Sequence, residues 1–374
     1  MVAPNLGLED VVVGTSSICD VNGKTGQLIY RGYDIHDLVA NVSFEEVVYL
    51  LWNDDLPNKA ELNELDQQLK SARALPSPVM DFIKGLPRTA SPMDVLRTSV
   101  SLLGIYDPEG RDSSVESTRR KAVRITAQIP TVIATFHRVR EGKDLVAPEP
   151  NLGAAANLLY MLTGETPDEY AVHTMDAALT MHADHEYNAS TFSARVTIST
   201  LSDLYDAITA AIGTLSGPLH GGANEQVMRM LLQIKGGEDE AEEWIRGALE
   251  RKDRIMGFGH RVYKTDDPRA VELKEMARRL GERAGQPQWF RMADRIQKVM
   301  LAEKGLYANV DFYSASTYYV MGVPIDLFTP LFAASRVSGW SAHVIEQLEN
   351  NRLIRPRADY VGPTNQKVVP IDQR

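Results

Sequence analysis

The chain has 374 residues and a formal net charge of −10, with 44% hydrophobic and 24% charged residues. This composition is typical of globular proteins, and the length favours two domains over one. The acidic balance argues against a general nucleic-acid or membrane surface, because both select basic faces. No apolar run approaches the roughly 18 residues that a membrane-spanning helix needs.

Cysteine content and the N-terminal residues indicate the compartment. Cys19 is the only cysteine, so an intrachain disulfide is impossible and neither a zinc cage nor an oxidising compartment is favoured. The start of the chain, with Glu9 and Asp10 soon after Met1, lacks the basic start and apolar core of an export signal. We therefore expect a cytoplasmic protein.

The first predicted element is a small β-hairpin. Asn22-Gly23 supplies positive-φ turn residues between Ser17-Ile18 and the apolar residues 27–30. Alternating strand patterns are nearly absent beyond residue 34. The remainder therefore predicts an all-α architecture of two helical domains with a small N-terminal β-hairpin.

Several helix starts can be recognised from their capping residues. Ser43 and Glu46 form a capping-box pattern in front of an apolar run. Pro92 and Pro167 are predicted to be first helical residues, because proline lacks an N–H and is pre-organised for that position.

Turn-rich segments divide the rest of the chain into helices of ordinary length. They are residues 106–114, 146–152, 216–224, 257–268, 281–288 and 322–324. Two of these segments could bracket an inserted domain. We therefore predict a large helical domain of residues 1–217 and 323–374, and a small helical domain of residues 218–322.

Two histidines follow an apolar helical stripe that starts near Thr166. His182 and His185 share this face by their three-residue spacing. A His-x-x-His pair suggests a metal, but no third ligand of suitable spacing is visible, so we predict no metal site. The histidines are either satisfied core residues or donors that face a ligand.

His220 lies in a glycine-rich turn before a helix that Asn224 could cap. The positive end of the helix dipole disfavours imidazolium. A neutral imidazole there can donate a hydrogen bond to a carbonyl oxygen that gains charge during a reaction. The alternative is a histidine that only closes the turn.

A basic stretch between Arg251 and Arg269 contains Gly257 and Gly259. These glycines could let the backbone approach a phosphate or a nucleotide carrier, although an ordinary turn is the alternative. Asp267-Pro268 predicts a helix start with Arg269 in the first turn. A cation there opposes the helix dipole, which suggests a nearby anion.

Asp311 lies between Val310 and Phe312, an apolar setting that would raise its proton affinity and make it a better general base. The alternative is a cap for the following helix. Arg336 shares an apolar helix face with Phe332 and needs an acceptor if it is buried. Arg355 precedes a proline in a non-helical stretch, where an exposed charge is the default.

Taken in order and spacing, these motifs resemble the citrate synthase family. The core segments are His220-Gly221-Gly222-Ala223-Asn224-Glu225, Gly257-Phe258-Gly259-His260-Arg261-Val262-Tyr263-Lys264, Asp267-Pro268-Arg269 and Asn309-Val310-Asp311-Phe312-Tyr313-Ser314. Tyr30-Arg31-Gly32-Tyr33, Asp184-His185-Glu186-Tyr187-Asn188-Ala189-Ser190 and Ser335-Arg336-Val337-Ser338-Gly339-Trp340 extend the match from about Gly14 to Arg355.

The resemblance implies a transferase of the tricarboxylic acid cycle that condenses oxaloacetate with acetyl-CoA and then hydrolyses the thioester. By position, Asp311 would take a proton from the acetyl methyl group. His220 would hydrogen-bond the developing enolate oxygen, and His260 would polarise the keto carbonyl and protonate its oxygen.

The remaining implied roles concern binding. His185, Arg269 and Arg336 would hold the carboxylates of the keto acid, with Arg355 reaching in from the partner of a homodimer. The segment Ile255, Met256, Gly257, Phe258 and Gly259 would border the CoA nucleotide. CoA thioester would be a co-substrate, and no tightly bound cofactor is expected.

The resemblance also assigns roles to the predicted domains. Residues 1–217 and 323–374 would carry the dimer interface, and residues 218–322 would be mobile, bind CoA and close over the site. The chain is expected to lack a transit peptide and the additional N-terminal domain of NADH-sensitive hexameric relatives, which favours a simple dimer.

Two alternatives remain at this stage. A 2-methylcitrate synthase would use propionyl-CoA, and one methylene discriminates substrates by only about 1–3 kcal/mol. A non-catalytic CoA-binding or acid-sensing module belongs to a different class. Asp311, His220 and His260 weigh against that module, because binding alone needs no base.

Overall fold

The computed structural model describes residues 6–8 and 11–374. Within these residues the chain forms sixteen α-helices, one three-stranded sheet and three short 3-10 helices. The helices are α1 (Ile35–Asn41), α2 (Phe44–Asn53), α3 (Lys59–Ser71), α4 (Ser77–Lys84), α5 (Pro92–Tyr106), α6 (Val115–Glu141), α7 (Ala154–Thr163), α8 (Glu169–His182), α9 (Ala189–Ile198), α10 (Leu204–Leu215), α11 (Ala223–Leu231), α12 (Glu238–Glu250), α13 (Pro268–Arg283), α14 (Gln288–Lys304), α15 (Val310–Val320) and α16 (Phe328–Glu349). The predicted all-α architecture is confirmed.

The predicted hairpin is also confirmed. Strands β1 (Cys19–Asn22) and β2 (Gln27–Tyr30) are antiparallel, and β3 (Tyr33–Asp34) adds a third strand that was not predicted. The turn docks against the loop after His260, because the Lys264 N–H donates to the Gly23 carbonyl at 2.9 Å. A Cβ at Gly23 would lie 2.1 Å from the Val262 carbonyl oxygen, so this close approach requires glycine.

Two of the predicted helix starts are confirmed and one is wrong. Ser43 and Glu46 form both bonds of the capping box at α2, and Pro92 is the first residue of α5. Helix α8 begins at Glu169 instead of Pro167. The reason is that the Asp168 side chain accepts the N–H groups of Tyr170 and Ala171, so this carboxylate is the better cap.

The predicted cap at Asn224 is wrong as well. Helix α11 already begins at Ala223, and Gly222 occupies the cap position without a side-chain bond. Asn224 is fully buried in the first turn, where its side-chain oxygen accepts the N–H of Glu225. His220 therefore lies two residues before the helix cap, close to the positive end of the dipole as predicted.

Helix α16 is the central element of the fold. Nearly all of its residues are buried, and it packs against α2, α6, α8, α9 and α10. A helix with apolar contacts all round lies in the core. Its buried polar residues, including Arg336, are therefore held in place by neighbours on every side.

Helices α11 to α15 pack mainly against one another, with α12 on α14 and both α11 and α13 on α15. Contacts of α13 with α1 and α8, and of α11 with α16, join this group to the other helices. Side chains from both groups meet along this seam. None of the described helices is both long and apolar enough to cross a membrane.

Two carboxylates, the partly exposed Asp176 and the buried Glu45, accept backbone N–H groups at helix starts. Both oxygens of Asp176 in α8 accept the backbone N–H of Phe44 at 3.2 Å. Glu45 of α2 accepts the N–H of Ala154 at 2.7 Å. Burial, with a further contribution from the Glu45 charge, raises the pKa of Asp176 to about 7. Ionised Asp176 is therefore unfavourable in the folded chain.

Candidate active site

Six of the seven predicted catalytic and substrate-binding residues come together along the seam. His185 follows α8, His220 precedes α11, and His260 lies in the loop before α13. The other three residues lie on helices: Arg269 on α13, Asp311 on α15 and Arg336 on α16. These residues are close enough to influence one another electrostatically. The pKa of His185 is lowered by burial and also by the nearby Arg269, His260, Arg336 and His220.

Burial divides the cluster into a floor and a mouth. His185, Arg269 and Arg336 are buried at 7%, 3% and 1% exposure. His220, His260 and Asp311 are partly exposed. A ligand entering from solvent would therefore meet two imidazoles and a carboxyl first, with cationic side chains beneath them.

His185 and His260 face each other beside Tyr263. Their ring centroids are 5.1 Å apart, and the His260 and Tyr263 rings are 4.7 Å apart. The Tyr263 hydroxyl lies 3.3 Å from Nε2 of His185. Burial lowers the pKa of His185 far below its usual value, with Arg269 adding to the effect. His185 is therefore neutral at physiological pH.

The backbone determines which nitrogen of His260 carries the proton. Nδ1 accepts the N–H groups of Val262 at 3.0 Å and Tyr263 at 3.2 Å. Burial first, and Arg269 second, lower the pKa of His260 to about 4. The neutral ring must therefore hold its proton on Nε2, which leaves this N–H free to donate to a ligand.

His220 is held by a hydroxyl of α9. Nε2 of His220 is 2.8 Å from Oγ of Ser190, which also receives the indole N–H of Trp340 at 3.1 Å. Burial, reinforced by Arg336, lowers the pKa of His220 to about 4. The ring is neutral, and Nδ1 is the nitrogen that remains for a ligand.

Arg336 satisfies the sequence requirement for an acceptor. Its Nε donates to the carbonyl of His182 at 2.6 Å, and its guanidinium lies 4.7 Å above the Phe332 ring. His182 itself is fully buried, with Nδ1 bonded to the Ala178 carbonyl at 2.7 Å. It is therefore a core histidine that orients Arg336 through its backbone.

Asp311 is not the cap of α15, because Asn309 takes that position and accepts the Asp311 N–H. Oδ1 of Asp311 is shielded from solvent and has no hydrogen-bond partner in the part of the chain that the structure describes. Burial raises the pKa of Asp311 to about 7, although Arg269 opposes the shift. Asp311 therefore combines one unpaired shielded oxygen with an unusually high basicity for an aspartate, as the apolar sequence setting predicts.

Arg269 is in the first turn of α13, and the anion that its position suggests is the capping residue Asp267. Nε and Nη2 of Arg269 donate to the two oxygens of Asp267 at 2.9 and 2.8 Å. The pair is almost completely buried. This bidentate arrangement orients the guanidinium and leaves its remaining N–H groups for another anion.

The segment Ile255, Met256, Gly257, Phe258 and Gly259 forms a loop beside α15. The Gly257 carbonyl accepts the Asn309 N–H at 2.9 Å, and the Gly259 N–H donates to the Tyr307 carbonyl at 2.9 Å. A Cβ at Gly257 would lie 2.7 Å from Val227 and 2.9 Å from Phe312. The glycines thus hold the start of the Asp311 helix, and the Gly259 N–H is already used.

Arg355 is not part of the cluster within one chain. It is exposed in the extended segment after α16, where the neighbouring Ile354 N–H bonds Ser199. Among the residues that the structure describes, no group of three or more His, Cys, Asp or Glu side chains could hold a metal ion.

Sequence reasoning did not identify three residues of the site. Tyr263 and Ser190 lie inside the quoted motifs, but neither has a spacing that marks it. Asp267 was recognised only as a helix cap, although it also binds the Arg269 side chain. The only sequence signal for this second role of Asp267 was the position of Arg269, a cation in the first turn of a helix.

The arrangement defines a chemistry. A basic carboxyl and two neutral imidazole donors suit removal of a proton from carbon next to a carbonyl, with stabilisation of the oxygens that gain charge. Two buried arginines suit an anionic second reactant.

Comparison with known proteins agrees with this chemistry. The family model described as Citrate synthase, C-terminal domain matches residues 7–357. Citrate synthase 2 of Bacillus subtilis (strain 168) is 53% identical over 369 residues, covering 98% of either protein. 2-Methylcitrate synthase 1 of Corynebacterium glutamicum is 45% identical, again over 98% of both. The solved ternary complex of citrate synthase from the archaeon Thermoplasma acidophilum with carboxymethyl coenzyme A and oxaloacetate is 34% identical, with a TM-score of 0.92 and 98% of each chain covered.

The fold and its relatives define an enzyme of the transferase class that converts an acyl group into an alkyl group on transfer. Within that class, the chain belongs to the citrate synthase family.

Proposed function

We propose that this enzyme condenses oxaloacetate with acetyl-CoA and water to give citrate and CoA, through citryl-CoA, as the entry step of the tricarboxylic acid cycle. The observation that carries the proposal is Asp311. Its Oδ1 is shielded and unpaired, its pKa is raised to about 7, and it shares a cluster with two neutral imidazoles. A general base needs this combination of free oxygen and near-neutral pKa.

In the first step, Asp311 takes a proton from the methyl group of the acetyl thioester. The thioester oxygen gains negative charge as the proton leaves, and Nδ1 of His220 donates a hydrogen bond to it. This requires the Ser190 hydroxyl to donate to Nε2 of His220. The hydroxyl lies equally close, at 2.8 Å, to Oδ1 of Asn188, but that oxygen already accepts the N–H groups of Ser190 and Thr191, so the mechanism assigns the hydroxyl proton to His220.

In the second step, the enolate carbon attacks the keto carbon of oxaloacetate. The proton that the backbone holds on Nε2 of His260 polarises the keto oxygen and passes to it as the carbon–carbon bond forms. Water then hydrolyses the citryl thioester and releases CoA.

The two carboxylates of oxaloacetate are assigned to the cationic floor of the cluster. Arg269 and Arg336 provide planar donors, and His185 provides a neutral one. Arg355 completes the clamp from the second copy in a homodimer. Its exposure in a single chain, away from its own cluster, supports this assignment.

The mobile part of the enzyme is assigned to residues 218–322, and residues 1–217 and 323–374 form the large dimerising domain. The mutual packing of α11 to α15 supports this division. CoA is bordered by residues 255–259, next to the base, as a co-substrate rather than a tightly held cofactor. Closure of the small domain would exclude water until citryl-CoA has formed. A cytoplasmic location fits the single reduced cysteine.

A second candidate is 2-methylcitrate synthesis from propionyl-CoA. The full-length similarity to 2-methylcitrate synthase 1 of Corynebacterium glutamicum favours it as the alternative. A non-catalytic CoA-binding or acid-sensing module is disfavoured, because a binding site gains nothing from a shielded carboxyl oxygen that has no hydrogen-bond partner among the described residues.

Release of CoA thiol tests the proposal. The folded protein is supplied with oxaloacetate and either acetyl-CoA or propionyl-CoA, and each omission serves as a blank. We expect thiol release that needs both substrates, with kcat/KM higher for acetyl-CoA. A higher kcat/KM for propionyl-CoA would identify the second candidate, and no release with either thioester would remove both.

A further inference from the structure

The buried carboxylate of Asp267 contacts two separate parts of the site. It has 1% exposure at the start of α13. Its oxygens accept the backbone N–H, Nε and Nη2 of Arg269 at 3.1, 2.9 and 2.8 Å. Oδ2 also accepts the backbone N–H of Val310, the first residue of α15, at 3.2 Å. Asp311 is the next residue along that helix.

We propose that Asp267 is a positioning residue for the condensation: one carboxylate ties the keto-acid clamp Arg269 to the helix turn that carries the base Asp311. This inference rests on the proposed function for the roles of those two residues. In this role Asp267 does not contact the substrate. Its effect is to fix the distance between the oxaloacetate carboxylate and the base.

The geometry explains why a cap alone does not account for Asp267. An N-cap needs one side-chain oxygen to accept N–H groups of its own helix, and Oδ1 does this. Oδ2 takes no part in capping. It accepts Nη2 of Arg269 and the backbone N–H of Val310. The bond to Arg269 stays within the first turn of α13, whereas the bond to Val310 crosses to α15. The same oxygen therefore connects the Arg269 guanidinium to the first residue of α15.

The charge of Asp267 has a second consequence for the base. Arg269 and Asp267 face Asp311 from α13, Arg336 faces it from α16, and Tyr318 lies on its own helix. The arginines favour ionised Asp311, whereas Asp267 opposes them. If Asp267 lost its charge, Arg269 would act uncompensated and make Asp311 a weaker base.

The variants separate charge from shape. Asp267→Asn keeps the size but places an amide N–H opposite Nη2 and the Val310 N–H. Asp266→Asn makes the same charge change at the adjacent, exposed residue and is the matched control. Arg269→Gln and the double variant Asp267→Asn/Arg269→Gln complete a cycle, and they keep the test decisive if Asp267→Asn does not fold.

The primary readout is the titration of Asp311, followed by 13C NMR of labelled aspartate carboxyls and identified by its loss in Asp311→Asn. It needs no substrate, so it is separate from the thiol assay of the proposed function. We expect Asp267→Asn to lower the Asp311 midpoint by about 1 pH unit or more, since nearby charges shift carboxyl pKa values by about 1–3 units. Asp266→Asn should leave it unchanged, and Arg269→Gln should titrate higher than the double variant.

Turnover gives the second readout. Asp267→Asn should raise KM for oxaloacetate, lower kcat, and move the acid limb of the kcat profile to lower pH, whereas Asp266→Asn should do none of these. Equal Asp311 midpoints in the two single aspartate variants would overturn the inference. So would equal midpoints in Arg269→Gln and the double variant.

Discussion

Replacing Arg336 by leucine tests the proposed clamp for the keto acid. The side chain is 1% exposed, donates to the His182 carbonyl and covers the Phe332 ring. Leucine keeps an apolar contact with that ring and removes the cation. Truncating one partner of a buried charged interaction costs about 2–5 kcal/mol. We therefore expect KM for oxaloacetate to rise by about 30- to 5,000-fold, with KM for acetyl-CoA little changed.

The matched control is Arg138→Leu. Arg138 is 8% exposed and also donates to backbone carbonyls, including that of Leu162 at 3.2 Å, but it lies outside the cluster. Both variants leave a buried carbonyl unpaired, which costs about 1–3 kcal/mol of stability. Only Arg336→Leu should change keto-acid use in steady-state kinetics and calorimetric binding. An unchanged oxaloacetate affinity in that variant would refute the assignment.

Three further predictions concern other parts of the structure. Asp176→Asn should raise the free energy of unfolding at pH 8 by on the order of 1–3 kcal/mol and change it little at pH 4. The reason is that the pKa of Asp176 is about 4 in the unfolded chain and about 7 in the folded chain, so wild-type stability falls as pH rises between these values. Equal effects in urea unfolding at both pH values would contradict this. Gly257→Ala, at φ +83°, should lower the stability of the protein by about 1–3 kcal/mol and also lower kcat. Gly259→Ala should lower stability less, because its new Cβ would meet no atom closer than 3.8 Å. A larger loss for Gly259→Ala in thermal melts and kinetics would be inconsistent with this packing. His260→Ala should lower kcat by about 100- to 10,000-fold with small changes in KM, and a kcat near wild type would remove His260 from the acid role.

Much of the fold could be predicted from local pattern. The Asn22-Gly23 turn and the Ser43 capping box are short-range features whose physics lies within a few residues, and both are confirmed. Local competition explains the two errors. At α8 the Asp168 carboxylate caps the helix, so the helix begins at Glu169. At α11 the helix already begins at Ala223 after the Gly222 cap, so Asn224 lies within the first turn.

The site was predictable where a residue carried its own signal. Asp311 has apolar neighbours in sequence, and its Oδ1 has no hydrogen-bond partner among the described residues. Arg336 lies on an apolar helix face, and its Nε donates to the backbone carbonyl of His182. The parts that were missed depend on contacts between distant segments. The Tyr263 hydroxyl meets His185, and Ser190 meets His220, only after folding brings their loops together.

The central claim is that Asp311 removes the methyl proton, and the direct measurement is citrate formation by Asp311→Asn, quantified by mass spectrometry beside wild type. The amide keeps the size of the side chain but cannot accept that proton. We predict citrate from the wild-type enzyme and a rate at least about 100-fold lower from the variant, with oxaloacetate binding retained. A variant that binds oxaloacetate and forms citrate at the wild-type rate would contradict the account.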